Sequence, residues 1–296
     1  MRTGESAGGP LSEALADCSA SGFTGVLRVA GQPSGTVYLA GGGVVGVETP
    51  GAPGAEVILL RTGRVPVPDW DAAFAAAAPD ARRMPAELIG RGLVGAGELE
   101  ALVRTAIADA MFALADGSVD KCSAAAGPAD CSLPLAAPAD TGWLVAETSR
   151  RMRVLASLPD QAVHPRDRLV AVPGVTRPGL ILGDGRDELL ALADGRRTVR
   201  DLAFALGRGV YATMLQAARM RTEGLLASPG ADGMPAPGRA AAPAEEAETP
   251  AGLPRRRRDR AGLPRRGGES GGWTMPATIR LFRPRGEASK RPGETE

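Results

Sequence analysis

The residue types that most often carry enzymatic chemistry are scarce in this sequence. His164 is the only histidine, and it precedes Pro165 in a stretch with the composition of a loop. A nucleophile needs a base within hydrogen-bond reach, and that base needs a third group to orient it. The spacing of residues around His164 indicates no such set. The sequence therefore predicts a chain that is not an enzyme and has no catalytic residues.

The three cysteines, Cys18, Cys122 and Cys131, are too widely spaced for a typical metal site. Zinc sites usually take their ligands in close pairs, whereas Cys122 and Cys131 are nine residues apart. Buried or idle thiols are the simpler interpretation. An odd number of cysteines without a CxxC pair also favours a reducing, cytoplasmic location. We expect neither a metal nor any other cofactor.

Two further patterns that can indicate a site are better explained by local structure. Gly41–Gly43 lies between two strand-like runs and is not followed by Lys-Ser or Lys-Thr, which favours a hairpin turn over a phosphate-binding loop. The acidic pairs Glu98/Glu100 and Asp184/Asp187 lie at predicted helix starts, where negative charge suits the helix dipole. Neither pattern predicts a catalytic acid and base.

Nucleic-acid binding is the remaining chemistry that the sequence could support. The start of one predicted helix offers Tyr211, Thr213 and Gln216 to base edges, but no arginine before Arg219. Seven arginines oppose five acids between residues 186 and 226, which is a thin excess for a duplex-binding module. The other candidate contacts belong to a basic run, Arg255, Arg256, Arg257 and Arg258. Weak DNA binding therefore stands as the alternative hypothesis.

That basic run lies in a segment whose composition differs from the rest of the chain. Residues 228–296 contain 13 Lys and Arg against 9 Asp and Glu, whereas residues 1–227 contain 22 against 25. The segment is rich in Pro, Gly and Ala and has little apolar area to offset the entropy of ordering. We predict a disordered basic tail over 228–296, with one apolar patch at Trp273–Phe282, whose role the sequence does not indicate.

Residues 10–118 carry the pattern of a small α+β module. Strand-like runs at 25–29, 36–39 and 44–48 are separated by turns rich in Gly and Pro, which predicts an antiparallel meander. Three strands are marginal by themselves, so helices should cover one face of the sheet. Candidate helices are Leu11–Cys18, Gly54–Arg64 and a weak, alanine-rich helix near Phe74.

The most regular apolar pattern in the chain runs from Glu98 to Ala115. Glu100, Arg104 and Asp109 fall outside it, and we expect these three to face water. The apolar residues are spaced three and four apart, as on one face of a helix: Leu99, Leu102, Val103, Ala106, Ile107, Ala110, Met111 and Leu114.

Two segments complete the predicted organisation. Residues 119–164 form a connecting segment with one helix, capped by Thr141, whose arginines at 150, 151 and 153 are expected to be solvated. Residues 165–227 form three short helices, with a capping box at Thr198–Asp201 and a tight turn at Gly207–Gly209. This order is typical of a helix-turn-helix-like, or winged-helix-like, module. No wing is predicted, because the tail follows at Ser228.

Several of these stretches resemble a bacterial domain family of unassigned function, named for its place at the N-terminus of PatA-type response regulators. The resemblance rests on Phe23–Leu27, Gly35–Leu39, Gly43–Glu48 and the helix ending at Leu114, with Leu190–Val199 similar to the winged-helix-like module that often follows. It implies a regulatory role beside small GTPases or response regulators and implies no catalytic residues. We recognise no receiver domain after the module in this sequence and therefore do not expect a phosphorylation-driven role.

Composition supports the same class of protein. Arginine greatly outnumbers lysine, as in proteins from GC-rich bacterial genomes, and this weakens any inference from arginine to nucleic acid. The longest apolar runs fall short of the ~20 residues of a membrane helix, and no signal peptide is recognisable. We predict a soluble, cytoplasmic regulatory or adaptor protein that binds another signalling protein. A DNA-binding transcriptional regulator is the alternative.

Overall fold

The computed structural model describes residues 9–78, 80–158, 163–174, 183 and 185–229. These residues fold as an α+β protein with one four-stranded sheet and one small three-stranded sheet, both antiparallel. The fold class expected from the sequence is therefore confirmed. Most of the predicted tail, including Arg255–Arg258 and Trp273–Phe282, lies outside the described residues.

The four-stranded sheet contains the predicted meander and one strand from much later in the chain. Strands β1 (Gly25–Gln32), β2 (Gly35–Ala40) and β3 (Gly43–Glu48) follow one another, and β4 (Ser118–Ala126) pairs with the free side of β1. The order is β3-β2-β1-β4. Strand β4 was not predicted, because Ser, Ala and Lys have weak strand propensity and its pairing with β1 is long-range.

Helices pack against the four-stranded sheet. The first is α1 (Pro10–Ala20), and α2 (Ala55–Arg61), α3 (Val67–Ala77) and α4 (Met84–Gly90) follow the meander. A 3₁₀ turn at Ala81–Arg83 precedes α4, whose start accommodates Pro85 because the first turn of a helix lacks internal N–H partners. Helix α4 was not predicted.

Two longer helices complete the first core. Helix α5 (Ala96–Asp116) buries the predicted stripe apart from the partly buried Leu102, and Val103 and Ile107 belong to the first core. Helix α6 (Thr141–Ala156) begins one residue earlier than expected: the cap is Asp140, whose Oδ1 accepts the N–H of Trp143 at 2.6 Å, and Thr141 is the first helical residue. A side-chain oxygen at this position stabilises the helix by satisfying a free N–H.

The second core lies among the last elements. These are β5 (Arg168–Ala171), α7 (Arg186–Leu192), β6 (Asp194–Thr198), α8 (Val199–Leu206), α9 (Val210–Thr222) and β7 (Leu226–Ala227). The three predicted helices are confirmed, as is the capping box, in which Thr198 Oγ1 accepts the Asp201 N–H at 3.1 Å. The small sheet, ordered β6-β5-β7, was not predicted.

Both cores receive side chains from α5. Most of the buried apolar residues of α5, from Leu99 to Met111 and again Leu114, belong to the first core, whereas Phe112 and Ala113 belong to the second. All described residues belong to one compact unit, Met1–Gly238, and a second unit, Arg239–Glu296, lies outside the described part of the chain. Helix α5 therefore connects the four-stranded sheet to the helix-turn-helix-like region, as does α2, which packs against α8.

Candidate functional site

The most unusual group at this link is the carboxylate of Asp109. It lies on α5, which was expected to turn it to water, but its side chain is buried, with 2 % of the residue exposed. Its Oδ2 accepts the N–H of Val210 at 2.6 Å, and its Oδ1 accepts the N–H of Tyr211 at 2.9 Å. The expectation was wrong because a helical wheel shows one buried face, whereas α5 is buried on two sides.

Asp109 acts as the N-terminal cap of α9, although it belongs to a different helix. The residue in the cap position is Gly209, which has no side chain to offer. A Cβ added there would lie 3.1 Å from the Asp109 carboxyl group, so glycine permits the close approach. The N-terminus of a helix attracts negative charge, because its first N–H groups lack internal partners.

Arg151 of α6 closes the site from the other side. It is 9 % exposed, and its Nη1 lies 3.5 Å from Asp109 Oδ1 while its Nε donates to Glu147 Oε1 at 2.8 Å. Its guanidinium carbon lies 4.9 Å from the centroid of the Tyr211 ring. The prediction that residues 150–153 form a solvated face was therefore wrong for Arg151, since α9 packs over it.

Aromatic packing fixes the same turn of α9. The rings of Phe112 and Tyr211 meet edge to face, with centroids 5.4 Å apart. Phe112 is fully buried, so the ring of Tyr211 is held between a core aromatic and the Arg151 guanidinium. Edge-to-face contacts and cation–π contacts both add to the area buried.

The electrostatics of the site follow from this burial. Burial raises the pKa of the Asp109 carboxyl, while the N–H groups of Tyr211 and Val210 and the charge of Arg151 act in the opposite direction. Hydrogen bonds from Arg150 and then Arg151 lower the pKa of Glu147 to about 2. Asp109, Glu147 and Arg151 thus form a cluster of two acids and one buried arginine. Each of the three has a charged or hydrogen-bonding partner.

The side chains suggested for base contact are mostly turned inward. Tyr211 is buried, and Thr213 is 1 % exposed and donates from Oγ1 to the Gly209 carbonyl at 2.8 Å. Gln216 is half-buried and lies 3.4 Å from an Arg208 nitrogen, whereas Arg219 is exposed. In this arrangement the side chains of Tyr211 and Thr213 are turned into the protein.

A second feature is a cleft of about 510 Å³ beside the end of α5. It contains His164, whose Nε2 lies 3.7 Å from Asp116 Oδ2 and whose Nδ1 accepts the N–H of Arg166 at 3.1 Å. Both ring nitrogens are therefore directed to groups other than a hydroxyl. A hydrolytic triad needs one ring nitrogen on the nucleophile, so the cleft does not have that geometry.

Among the residues that the structure describes, the cysteines and acids do not assemble into a recognisable metal site. All three cysteines are free thiols, and burial raises the pKa of Cys131 to about 12. In the described ranges, no cluster of three or more His, Cys, Asp and Glu side chains is placed to hold a metal ion. Across the same residues, no helix combines the length and apolarity needed to cross a membrane.

Comparisons of the chain with protein-family models, with curated proteins and with solved structures give no match. Sequence reasoning missed Asp109 and Arg151, although one signal was present. From Ala106 to Leu114 Asp109 is the only polar residue, and a helix that is apolar all round is buried on all sides.

Proposed function

We propose that this chain is a non-catalytic regulatory or adaptor protein that acts by binding another protein. The observation that carries the proposal is the capping of α9 by Asp109 of α5. In a DNA-binding helix-turn-helix, the first turn of the second helix is open and contacts base edges. Here the first turn of α9 is used inside the protein, to join two parts of it.

The cleft supports the same proposal. His164 connects the segment before β5 to the end of α5, because it contacts both Asp116 and the N–H of Arg166. A bacterial signalling context is proposed from the family resemblance, and a cytoplasmic location from the three free cysteines.

A DNA-binding regulator is the second candidate, favoured by the α8–turn–α9 order and by exposed Arg219. Its contacts would come mainly from Arg219 and the basic run at 255–258. Such contacts are made with phosphates, so binding should be weak, indifferent to sequence and steeply reduced by salt.

The test is a fluorescence-anisotropy titration of the full chain against random duplex DNA and against the DNA upstream of its own gene. We expect the affinities for the two DNAs to agree within about threefold. Replacing the four arginines at 255–258 with serine should remove most of the binding. Affinity capture of the full chain from nuclease-treated native lysate should yield a reproducible protein partner. A preference above about 100-fold for the upstream DNA at physiological salt would replace the adaptor proposal with the DNA-binding one.

A further inference from the structure

The two edges of the four-stranded sheet differ in how they are covered. Strand β3 pairs on its outer side with the loop before α6: the N–H of Leu135 donates to the Val45 carbonyl at 2.8 Å, and Val44 bridges to Ala139. Strand β4 forms the other edge. Within the described ranges, no group hydrogen-bonds to its outer side. An uncovered edge is a template for another strand.

The regular part of this edge runs from Lys121 to Ala126. Ala30 pairs with Lys121 and Gly31 with Val119, so Asp120 is an extra residue that forms a bulge. Beyond the bulge the six residues pair with β1 without interruption. Six residues is about the usual length of a strand in a globular protein.

The two faces of this edge differ in chemistry. On the face away from the core, Lys121 pairs with Ala30 of β1. It lies diagonally across from Arg28, which pairs with Ser123. Both cations are exposed, and no carboxylate of the described residues forms an ion pair with either.

On the core side the edge ends in small apolar side chains. Ala124 pairs with buried Leu27, yet Ala124 itself is exposed. Leu27 is already only 2 % exposed, so it is Ala124 that an apolar side chain on an adjoining strand would cover. Burial of such a side chain is favourable, at about 25 cal/mol per Å².

We propose that the Lys121–Ala126 edge binds an extended segment of a partner protein, with acidic side chains at alternate positions and apolar β-branched ones between them. This inference rests on the proposed adaptor function and gives it a surface. Main-chain hydrogen bonds supply the affinity, and the two faces supply the specificity. The acidic side chains lie beside Lys121, on the face to which Arg28 of the next strand adds positive charge, and the apolar ones cover Ala124. A second copy fits less well, because it would place the same basic face beside itself.

The probe is a fluorescein-labelled peptide, Thr-Val-Glu-Val-Glu-Val-Thr, titrated against the full chain. We expect saturable binding that weakens with salt, together with slower amide exchange confined to residues 118–126. Lys121→Glu should weaken binding about tenfold and should strengthen binding of the matching peptide with lysine in place of glutamate. Arg153→Glu, an exposed arginine on α6, is the matched control and should leave both affinities unchanged.

Four outcomes would overturn the proposal. The first is exchange protection outside β4, and the second is equal weakening by Lys121→Glu and Arg153→Glu. The third is protection of β4 without peptide at protein concentrations where light scattering shows a dimer, which would assign the edge to a second copy. A lysate partner that both the unmodified chain and Lys121→Glu retain equally would also remove this surface, while the adaptor proposal would stand.

Discussion

Asp109 Oδ2 lies 2.6 Å from the backbone nitrogen of Val210, a residue 101 positions later in the chain. The contact joins the middle of α5 to the first residue of α9 inside the protein. An ordinary N-cap residue stabilises only the helix that it precedes. Asp109 also fixes the position of α9 relative to α5, two helices far apart in the chain. Its loss should therefore affect the stability of both cores.

Replacing Asp109 with alanine leaves the N–H groups of Val210 and Tyr211 without an acceptor and Arg151 without that partner. Each unsatisfied buried group costs about 1–3 kcal/mol, so we expect a loss of about 2–4 kcal/mol in chemical denaturation. Glu100→Ala is the control, because Glu100 is exposed on the same helix and its ion pair among the described residues is with Arg104. Equal effects of the two variants would contradict the capping role.

Gly209→Ala tests the close approach of α9 to Asp109. The backbone at Gly209 has φ −59°, which alanine adopts readily, so the only penalty is the contact of the new Cβ with the carboxyl group. We expect a loss of about 1–2 kcal/mol, as for other overpacked sites. Gly97→Ala is the matched control: its Cβ would meet nothing within 4 Å on α5, and it should stabilise the helix by about 0.5–1 kcal/mol. A neutral Gly209→Ala would argue against tight packing at this turn.

Glu147 should make the stability of the protein depend on pH. Its pKa is lowered from 4.5 to about 2 in the folded protein, first by the hydrogen bond from Arg150. A lowered folded-state pKa means stability that is complete above the unfolded value and is lost as the pH falls toward the folded value. We expect Glu147→Gln to melt lower than the unmodified protein above about pH 4.5, and the gap to close by about pH 2. A gap that persists at pH 2 would show that the glutamate contributes through packing.

Ile107→Asp tests the first core through α5. Ile107 is 2 % exposed, so the variant buries a carboxylate with no partner. That cost is several kcal/mol, which is a large part of the stability of a typical domain. We expect thermal unfolding monitored by circular dichroism to show no cooperative transition for this variant. Thr105→Asp, exposed on the same helix, should change stability by less than about 0.5 kcal/mol. A cooperative transition at the normal temperature in Ile107→Asp would place α5 outside the core.

The basic tail and the apolar patch within it remain predictions, since both lie outside the described residues. Trypsin provides the measurement. We expect the earliest cuts between Arg255 and Arg266, leaving a stable fragment that ends close to Ala227, because the described elements end at β7. Cleavage at Arg200 or Arg219 at the same rate would contradict that boundary.

Local sequence patterns predicted the elements whose signals are short-range. The meander has β-branched runs between glycine turns, α5 has an apolar repeat of three and four, and α8 has its capping box at Thr198 and Asp201. Each signal depends on residues a few positions apart, and the structure has each element at that place. The domain boundaries and the site residues drawn from the same patterns stay predictions.

What only the tertiary structure decided is long-range. Strand β4 forms because β1 offers it a free edge, although its own Ser and Ala residues favour no strand. Strands β5, β6 and β7 are short and, within the described part of the chain, pair only with one another. Asp109 is buried because α9 and Arg151 of α6 pack onto the face of α5 that one helical wheel assigns to water. A sequence pattern fixes which residues share a face of a helix, but the number of faces that are covered depends on partners a hundred residues away.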